Sequence, residues 1–235
     1  MIDLHSHILP GIDDGAKTFE DSVKIVKELC GQGITDMVAT PHYICETNYV
    51  STRANNAKLL NELKKRLKQE EVEVNLYLGN EIYIDSTIRK LLDGKKIATL
   101  ADSKYVLVEF PLNGQFPNYE DILGDLIQSG YKVILAHPER YVMVQEDFQV
   151  LQDLYDVGVL LQCNLGSFLG KYGKREEKIA IRLAKEGMIF GFGSDIHHCR
   201  GDKSIAKAIK KLRRYYSQNE LERVLIQNPR KVINA

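Results

Sequence analysis

Residues 1–15 read MIDLHSHILPGIDDG. The apolar residues around Leu4 call for a buried first strand, yet His5, His7, Asp13 and Asp14 crowd its end. Buried polar groups persist only where something they bind compensates them. Residues two apart in a strand point to the same side, so the H-S-H alternation aims His5 and His7 at one point.

Six further strand-like runs follow: ITDMVATPH (34–42), VNLYLGNEI (74–82), YVLVEF (105–110), KVILAHPER (132–140), VLLQCNL (159–165) and MIFGFGSDIH (188–197). Helical patterns separate them. The first starts at Thr18, whose hydroxyl can cap it while Asp21 reaches back, and it ends at Gly31 and Gly33. The second places Leu59, Leu60, Leu63 and Leu67 on one face, and the third runs from Asn118 to Gly130. Later helices are expected over 146–157, 174–186, 202–217 and 219–227. Continuous alternation with apolar strands implies a parallel α/β sheet covered by helices, either open or closed into a barrel.

The strand ends favour the barrel. His5 and His7 follow the first strand, His42 the second, Glu81 the third, Glu109 the fourth, His137 the fifth, and Asp195 with His197 the seventh. Closure brings such ends around one rim, where distant segments can share a site. Taken singly, each residue reads as a loop, cap or core side chain; as a set they read as metal ligands. Asp13 and Asp14 precede a glycine, where a turn is the ordinary reading, and only Asp14 joins the candidate set. His198 is expected to be a bystander.

With 235 residues, 44% of them hydrophobic, the chain can bury a full core, and one domain over 1–235 is the expectation. Lys plus Arg and Asp plus Glu both number 32, so no global field argues for nucleic acid or an anionic membrane as partner. No basic segment followed by an apolar run opens the sequence and no run of eighteen apolar residues occurs, which sets the expectation of a cytoplasmic protein. The four cysteines are dispersed without a C-x-x-C pair, and none has an arginine six residues later, which argues against a disulfide framework and against a cysteine phosphatase loop. The basic segment KSIAKAIKKLRRYY (203–216) carries Ile205, Ile209 and Leu212 at helical spacing, so its cations read as a solvated face.

The motifs DLHSH, DDG, TPHY, GNEIYI, LVEFP, AHPERY and GSDIH, in that order, resemble the PHP (polymerase and histidinol phosphatase) superfamily. HILPGIDDG, DSKYVLVEFP and VILAHPERY narrow this to its bacterial manganese-dependent tyrosine phosphatases of capsule and exopolysaccharide operons, the CpsB/CapC family. The resemblance covers nearly the whole chain. It implies a distorted (β/α)7 TIM-like barrel holding three divalent ions, most readily Mn2+, with Fe, Co, Zn or Mg as alternatives. One ion would take His5, His7, Glu81 and Asp195; the second Glu81, Glu109 and His137; the third Asp14, His42 and His197. Arg140 matches the arginine that grips phosphate, and His42 or a water would protonate the leaving phenolate. A second phosphate arginine follows the S-D-x-H motif in the family; here the stretch is SDIHHCRGDK (194–203), Asp202 stands about where it is expected, and Arg200 or else Lys203 takes its place. The implied partner is a phosphotyrosine-bearing tail, as on a bacterial tyrosine kinase, with homo-oligomers in some members.

The chemistry is coherent without the family. Imidazole and carboxylate ligands without thiolate suit manganese or iron, and four carboxylates against three divalent ions leave about +2, an attractive setting for phosphate. A small-molecule phosphatase of the histidinol type shares every ligand and is the nearest alternative, ahead of a PHP nuclease or a metal-free scaffold.

Overall fold

The computed structural model describes residues 1–114, 118–199, 201 and 203–234. All seven expected strands are present, but two are broken, so nine segments result among the described residues: β1 (Ile2–Ser6), β2 (Asp36–Ala39), β3 (His42–Tyr43), β4 (Asn75–Leu78), β5 (Glu81–Tyr83), β6 (Tyr105–Glu109), β7 (Lys132–Ala136), β8 (Leu160–Asn164) and β9 (Ile189–Gly193). The breaks fall at Pro41 and Gly79. Pro41 cannot donate to a ladder, and a side chain at Gly79 would meet Leu100 at 2.7 Å. Asn80 then stitches the two gaps together, its amide donating to Pro41 O at 3.0 Å and its oxygen accepting from Ala98 N at 2.9 Å.

The segments form two wholly parallel sheets, in the orders β1-β2-β4 and β3-β5-β6-β7-β8-β9. They meet along β1. Asp195 N donates to His5 O (2.9 Å) and His7 N to Ile196 O (3.1 Å), while the buried Asp3 carboxylate accepts from Ser194 N (2.9 Å). These bonds place the end of β9 beside the end of β1, and with them Asp195 and His197 beside His5 and His7.

Among the described residues, ten α-helices lie between and after the strands: α1 (Phe19–Cys30), α2 (Arg53–Gln69), α3 (Ile88–Asp93), α4 (Tyr119–Gln128), α5 (Val142–Glu146), α6 (Gln149–Asp156), α7 (Lys174–Lys185), α8 (Ser204–Leu212), α9 (Gln218–Glu222) and α10 (Asn228–Ile233). The Thr18–Asp21 capping box expected for α1 is formed. Three helix boundaries differ from the sequence pattern. The helix expected over 146–157 is α6, preceded by the separate α5; that over 202–217 shortens to α8; and the last continues through a wide turn at Arg223–Gln227 into α10, because Pro229 is tolerated in a first turn. The short α3 carried no clear periodicity.

Most apolar side chains pack between helices and sheets in one large core. A smaller cluster unites Ile2, Leu4, Val38, Tyr105, Leu107, Ile134 and Ala136, joined by Val232 of α10. On β6, Glu109 continues the face of Tyr105 and Leu107 by the period of two, so the strand that supplies this cluster also delivers a carboxylate above it. Among the described residues, no helix is long and apolar enough to cross a membrane.

Candidate metal centre

Glu81 is the hub. It opens β5 next to His42 of β3 in register, and its side chain is fully buried. Its Oε2 lies 3.0 Å from His42 Nδ1, 3.1 Å from His5 Nε2 and 3.3 Å from His7 Nε2; its Oε1 lies 2.9 Å from His137 Nε2. Glu109 stands 3.6 Å from both His42 Nδ1 and His137 Nε2. Asp195 Oδ1 is 3.6 Å from nitrogens of His5, His7 and His197. Asp14, half-exposed, reaches His197 Nε2 at 3.2 Å and His42 Nε2 at 3.6 Å. All nine candidate ligands named from the sequence therefore meet in one place.

Three overlapping groups have ligand atoms close enough to share an ion: His5, His7 and Glu81; His42, Glu81 and Glu109; His7, Asp14, His42 and His197. His7 and His42 each serve two of these groups, a sharing the family-based assignment did not contain. His198 is exposed, as expected of a bystander.

The donors fit divalent cations. His5 Nε2 and His7 Nε2 face each other at 3.0 Å, while the Nδ1 of each is committed to Gln162 Oε1 (2.9 Å) and Asp13 Oδ2 (2.8 Å). With a proton on each Nδ1, both Nε2 lone pairs converge, which only a proton or a cation between them relieves. Glu81 Oε2 and His42 Nδ1 are buried without a well-formed hydrogen bond despite their approach. His137 and Asp195 adopt left-handed backbone, at φ 30° and 48°, which a non-glycine residue keeps only where its surroundings demand it.

The metal-free electrostatics follow from this crowding. Burial disfavours charge on His7, but its hydrogen bonds to Asp13 and Glu81 lift its pKa well above the usual value. Burial likewise opposes a charged His42, yet the charge of Glu81 raises it to about 9. Burial would raise Glu81, and the charges of His5 and His42 hold it well below the carboxylate range instead. Glu109 moves the other way, raised by burial and by the neighbouring Glu81 charge. The carboxylates thus keep protons on the imidazoles that a metal would displace.

Arg140 lies over the cluster, at the end of the turn Pro138–Arg140 that follows β7. Its Nη1 donates to Asp195 Oδ2 at 3.1 Å and its guanidinium sits 4.5 Å above the Tyr172 ring. Its sequence neighbour Glu139 is instead fully buried and accepts from Asn164 N (2.9 Å) and Ser167 Oγ (2.6 Å). Lys203 is exposed at the start of α8. Arg200 and Asp202 lie outside the described residues.

Sequence reasoning missed the supports. Asp13 was read as a turn former only; it does accept from Gly15 N at 2.9 Å, but its other oxygen takes His7 Nδ1 and His42 N (3.1 Å). Its adjacency to Asp14 masked that second task. Gln162 and Asn164, two amides on one face of an apolar strand, were a legible signal that went unused.

Buried imidazoles and carboxylates converging at the ends of parallel strands, with an arginine above them, mark a candidate metal-site protein of the parallel α/β class. The chain belongs to the CpsB/CapC family of capsular polysaccharide synthesis, whose model matches residues 1–234. It is 32% identical over 225 residues to the putative tyrosine-protein phosphatase CapC of Staphylococcus aureus, covering 94% of this chain and 87% of that protein. It is 34% identical over 201 residues to the tyrosine-protein phosphatase YwqE of Bacillus subtilis, covering 85% and 78%. Among solved structures it resembles one from work on YwqE of Bacillus subtilis and CpsB of Streptococcus pneumoniae, described as unique metal-dependent tyrosine phosphatases, with TM-score 0.91, 30% identity and coverage of 100% and 94%.

Proposed function

We propose that this protein is a metal-dependent protein-tyrosine phosphatase acting on an exposed phosphotyrosine segment, such as the tail of a bacterial tyrosine kinase that controls capsule or exopolysaccharide synthesis. The convergence of Glu81 with four imidazoles beneath Arg140 carries this reading, and the named relatives point the same way. We further infer one domain over 1–235, a distorted (β/α)7 barrel, three divalent ions of which Mn2+ suits the donors best, and a cytoplasmic location. The hydrogen bonds joining β1 to the end of β9 support the barrel; the donor set, rich in carboxylate and free of thiolate, supports manganese.

Bound divalent ions supply Lewis acidity and an activated water, which is why no protein nucleophile is needed. The chain's own residues do the rest. Glu81, shared between two ligand groups, would hold ions in both and offset their mutual repulsion. Arg140 presents a planar fork to the non-bridging phosphoryl oxygens, held ready by Asp195 and by stacking on Tyr172. Its guanidinium is partly exposed, so an incoming phosphate can reach it. His42 and Asp14 lie at the solvent edge of the cluster, the His42 side chain 12% exposed; with both His42 nitrogens turned to ligand groups, a water at this edge would give the proton to the leaving phenolate. We propose Arg200, or else Lys203, for the second phosphate contact.

The test is a comparison of phosphotyrosine peptides, phosphoserine peptides, histidinol phosphate and single-stranded DNA in the presence of Mn2+. Preference for phosphotyrosine is expected. Faster turnover of histidinol phosphate would assign the small-molecule reading, and cleavage of DNA the nuclease one.

A further inference from the structure

Behind the site, four side chains from β1, β8 and the segment that follows β9 form one buried hydrogen-bonded line. His5 Nδ1 lies 2.9 Å from Gln162 Oε1; Gln162 Nε2 donates to Asn164 Oδ1 at 2.9 Å; Asn164 Nδ2 donates to Asp195 Oδ2 at 2.6 Å. His5, Gln162 and Asn164 have no exposed surface and Asp195 only 4%. Gln162 and Asn164 are two apart on β8, so their amides project from the same face, one above the other. Gly193 of β9 gives them room, since a Cβ there would lie 2.5 Å from His5 Cβ and 2.7 Å from Gln162 Nε2.

The line has a direction, set at one end. Ionised Asp195 can only accept, so the Asn164 NH2 must face it and the Asn164 oxygen must face Gln162. Gln162 is then obliged to turn its own NH2 towards Asn164 and its oxygen towards His5. An oxygen at that position requires a proton on His5 Nδ1, which leaves the Nε2 lone pair aimed into the site beside Glu81 and His7. Reversing either amide would place two donors or two acceptors in contact inside the core, where such a mismatch is costly.

We infer that Gln162 and Asn164 are positioning residues: they transmit the charge of Asp195 to His5 and so set the tautomer in which His5 can ligate a metal. The inference rests on reading the site as a metal centre, and it concerns how the centre is assembled, whatever phosphoester is its substrate. Asp195 thereby acts on both sides, with Oδ1 towards the histidines and Oδ2 shared by Asn164 and Arg140. One carboxylate aligns a ligand imidazole and the phosphate-binding arginine together.

Asn164→Leu gives the sharpest test, because Asn164 does not touch His5. Two readouts apply: Mn2+ affinity by calorimetry, and the His5 ring nitrogens by 15N NMR of the diamagnetic Zn2+-loaded protein. The variant should bind Mn2+ about 10–100-fold more weakly, and the His5 Nδ1–H signal should shift or exchange-broaden. Gln162→Met should do the same and carries the comparison if Asn164→Leu does not fold. Gln162→Glu, whose carboxyl group is kept protonated by burial and by the Asn164 Oδ1 acceptor, retains both an acceptor for His5 Nδ1–H and a donor for Asn164, and should recover most of the affinity lost in Gln162→Met; equal losses in those two variants would mean that packing is at stake, and would overturn the inference. Wild-type protein that binds Mn2+ alongside variants within twofold of it, with unmoved His5 signals, would also overturn the inference while leaving the metal centre intact. Wild-type protein that binds no Mn2+ would remove the metal-centre reading and this inference with it.

Discussion

Exchanging Glu81 for Gln keeps the shape of the hub and deletes its charge, which isolates what that charge does for folding in the absence of metal. Four imidazole nitrogens lie within 2.9–3.3 Å of its oxygens. For His42 the balance can be put in energy terms. Burial opposes its charge, but the nearby charge of Glu81 outweighs burial and, with help from Glu109 and against the field of His7, raises it from 6.5 to about 9. At 1.36 kcal/mol per pH unit this corresponds to about 3 kcal/mol of folded-state stability. Because the folded value is the higher one, that stability is fully present below pH 6.5 and is lost as pH climbs through about 9. Glu81 exerts most of the upward pull, so Glu81→Gln should forfeit on the order of 2–3 kcal/mol at pH 6, or about 4–12 °C in Tm for a chain of this size. Thermal unfolding of chelator-treated wild type and Glu81→Gln, followed by circular dichroism at pH 6 and pH 10, measures it. The gap should be wide at pH 6 and largely closed at pH 10. Equal midpoints at pH 6, or a gap that grows with pH, would refute the view that the Glu81 charge holds the imidazoles in their protonated form.

Three other outcomes follow from the site. Chelation should abolish phosphotyrosine hydrolysis and Mn2+ should restore it, since the proposed mechanism takes its nucleophile from an activated water; chelator-resistant turnover measured with a phosphotyrosine peptide would contradict this. Arg140→Lys should lower kcat by about 10–100-fold with unchanged metal content, Arg140→Ala by more, and Arg200→Ala should chiefly raise KM; steady-state kinetics with metal analysis distinguishes the three, and a wild-type kcat in Arg140→Ala would remove that residue from the mechanism. Asp13→Asn should weaken Mn2+ binding by about 10–100-fold through loss of the His7 Nδ1 partner, although Asp13 reaches no metal, and calorimetry showing wild-type affinity would return Asp13 to a turn-forming role.

The sequence by itself determined the alternation of strands and helices, the parallel arrangement, and the nine candidate ligands, because each of these is a local property. Apolar periodicity marks a strand whatever surrounds it, and a histidine or carboxylate at the end of such a strand is conspicuous where it stands. The breaks at Pro41 and Gly79 were less legible, since both runs kept their β-rich composition and the interruption depends on Leu100 and Ala98 from elsewhere in the chain. Tertiary structure alone decided which atom of each ligand faces the centre and what holds it there. His5 and Gln162 are 157 residues apart, and Asp195 reaches His5 only because the end of β9 lies along β1. Glu139 and Arg140 are adjacent in sequence, yet the first is drawn into the core by Asn164 and Ser167 while the second is turned outward over Asp195 and Tyr172. Hydrogen-bond direction, tautomer and the choice between neighbouring carboxylates depend on partners brought together by long-range packing, and a one-dimensional pattern of residue types does not encode which partner arrives.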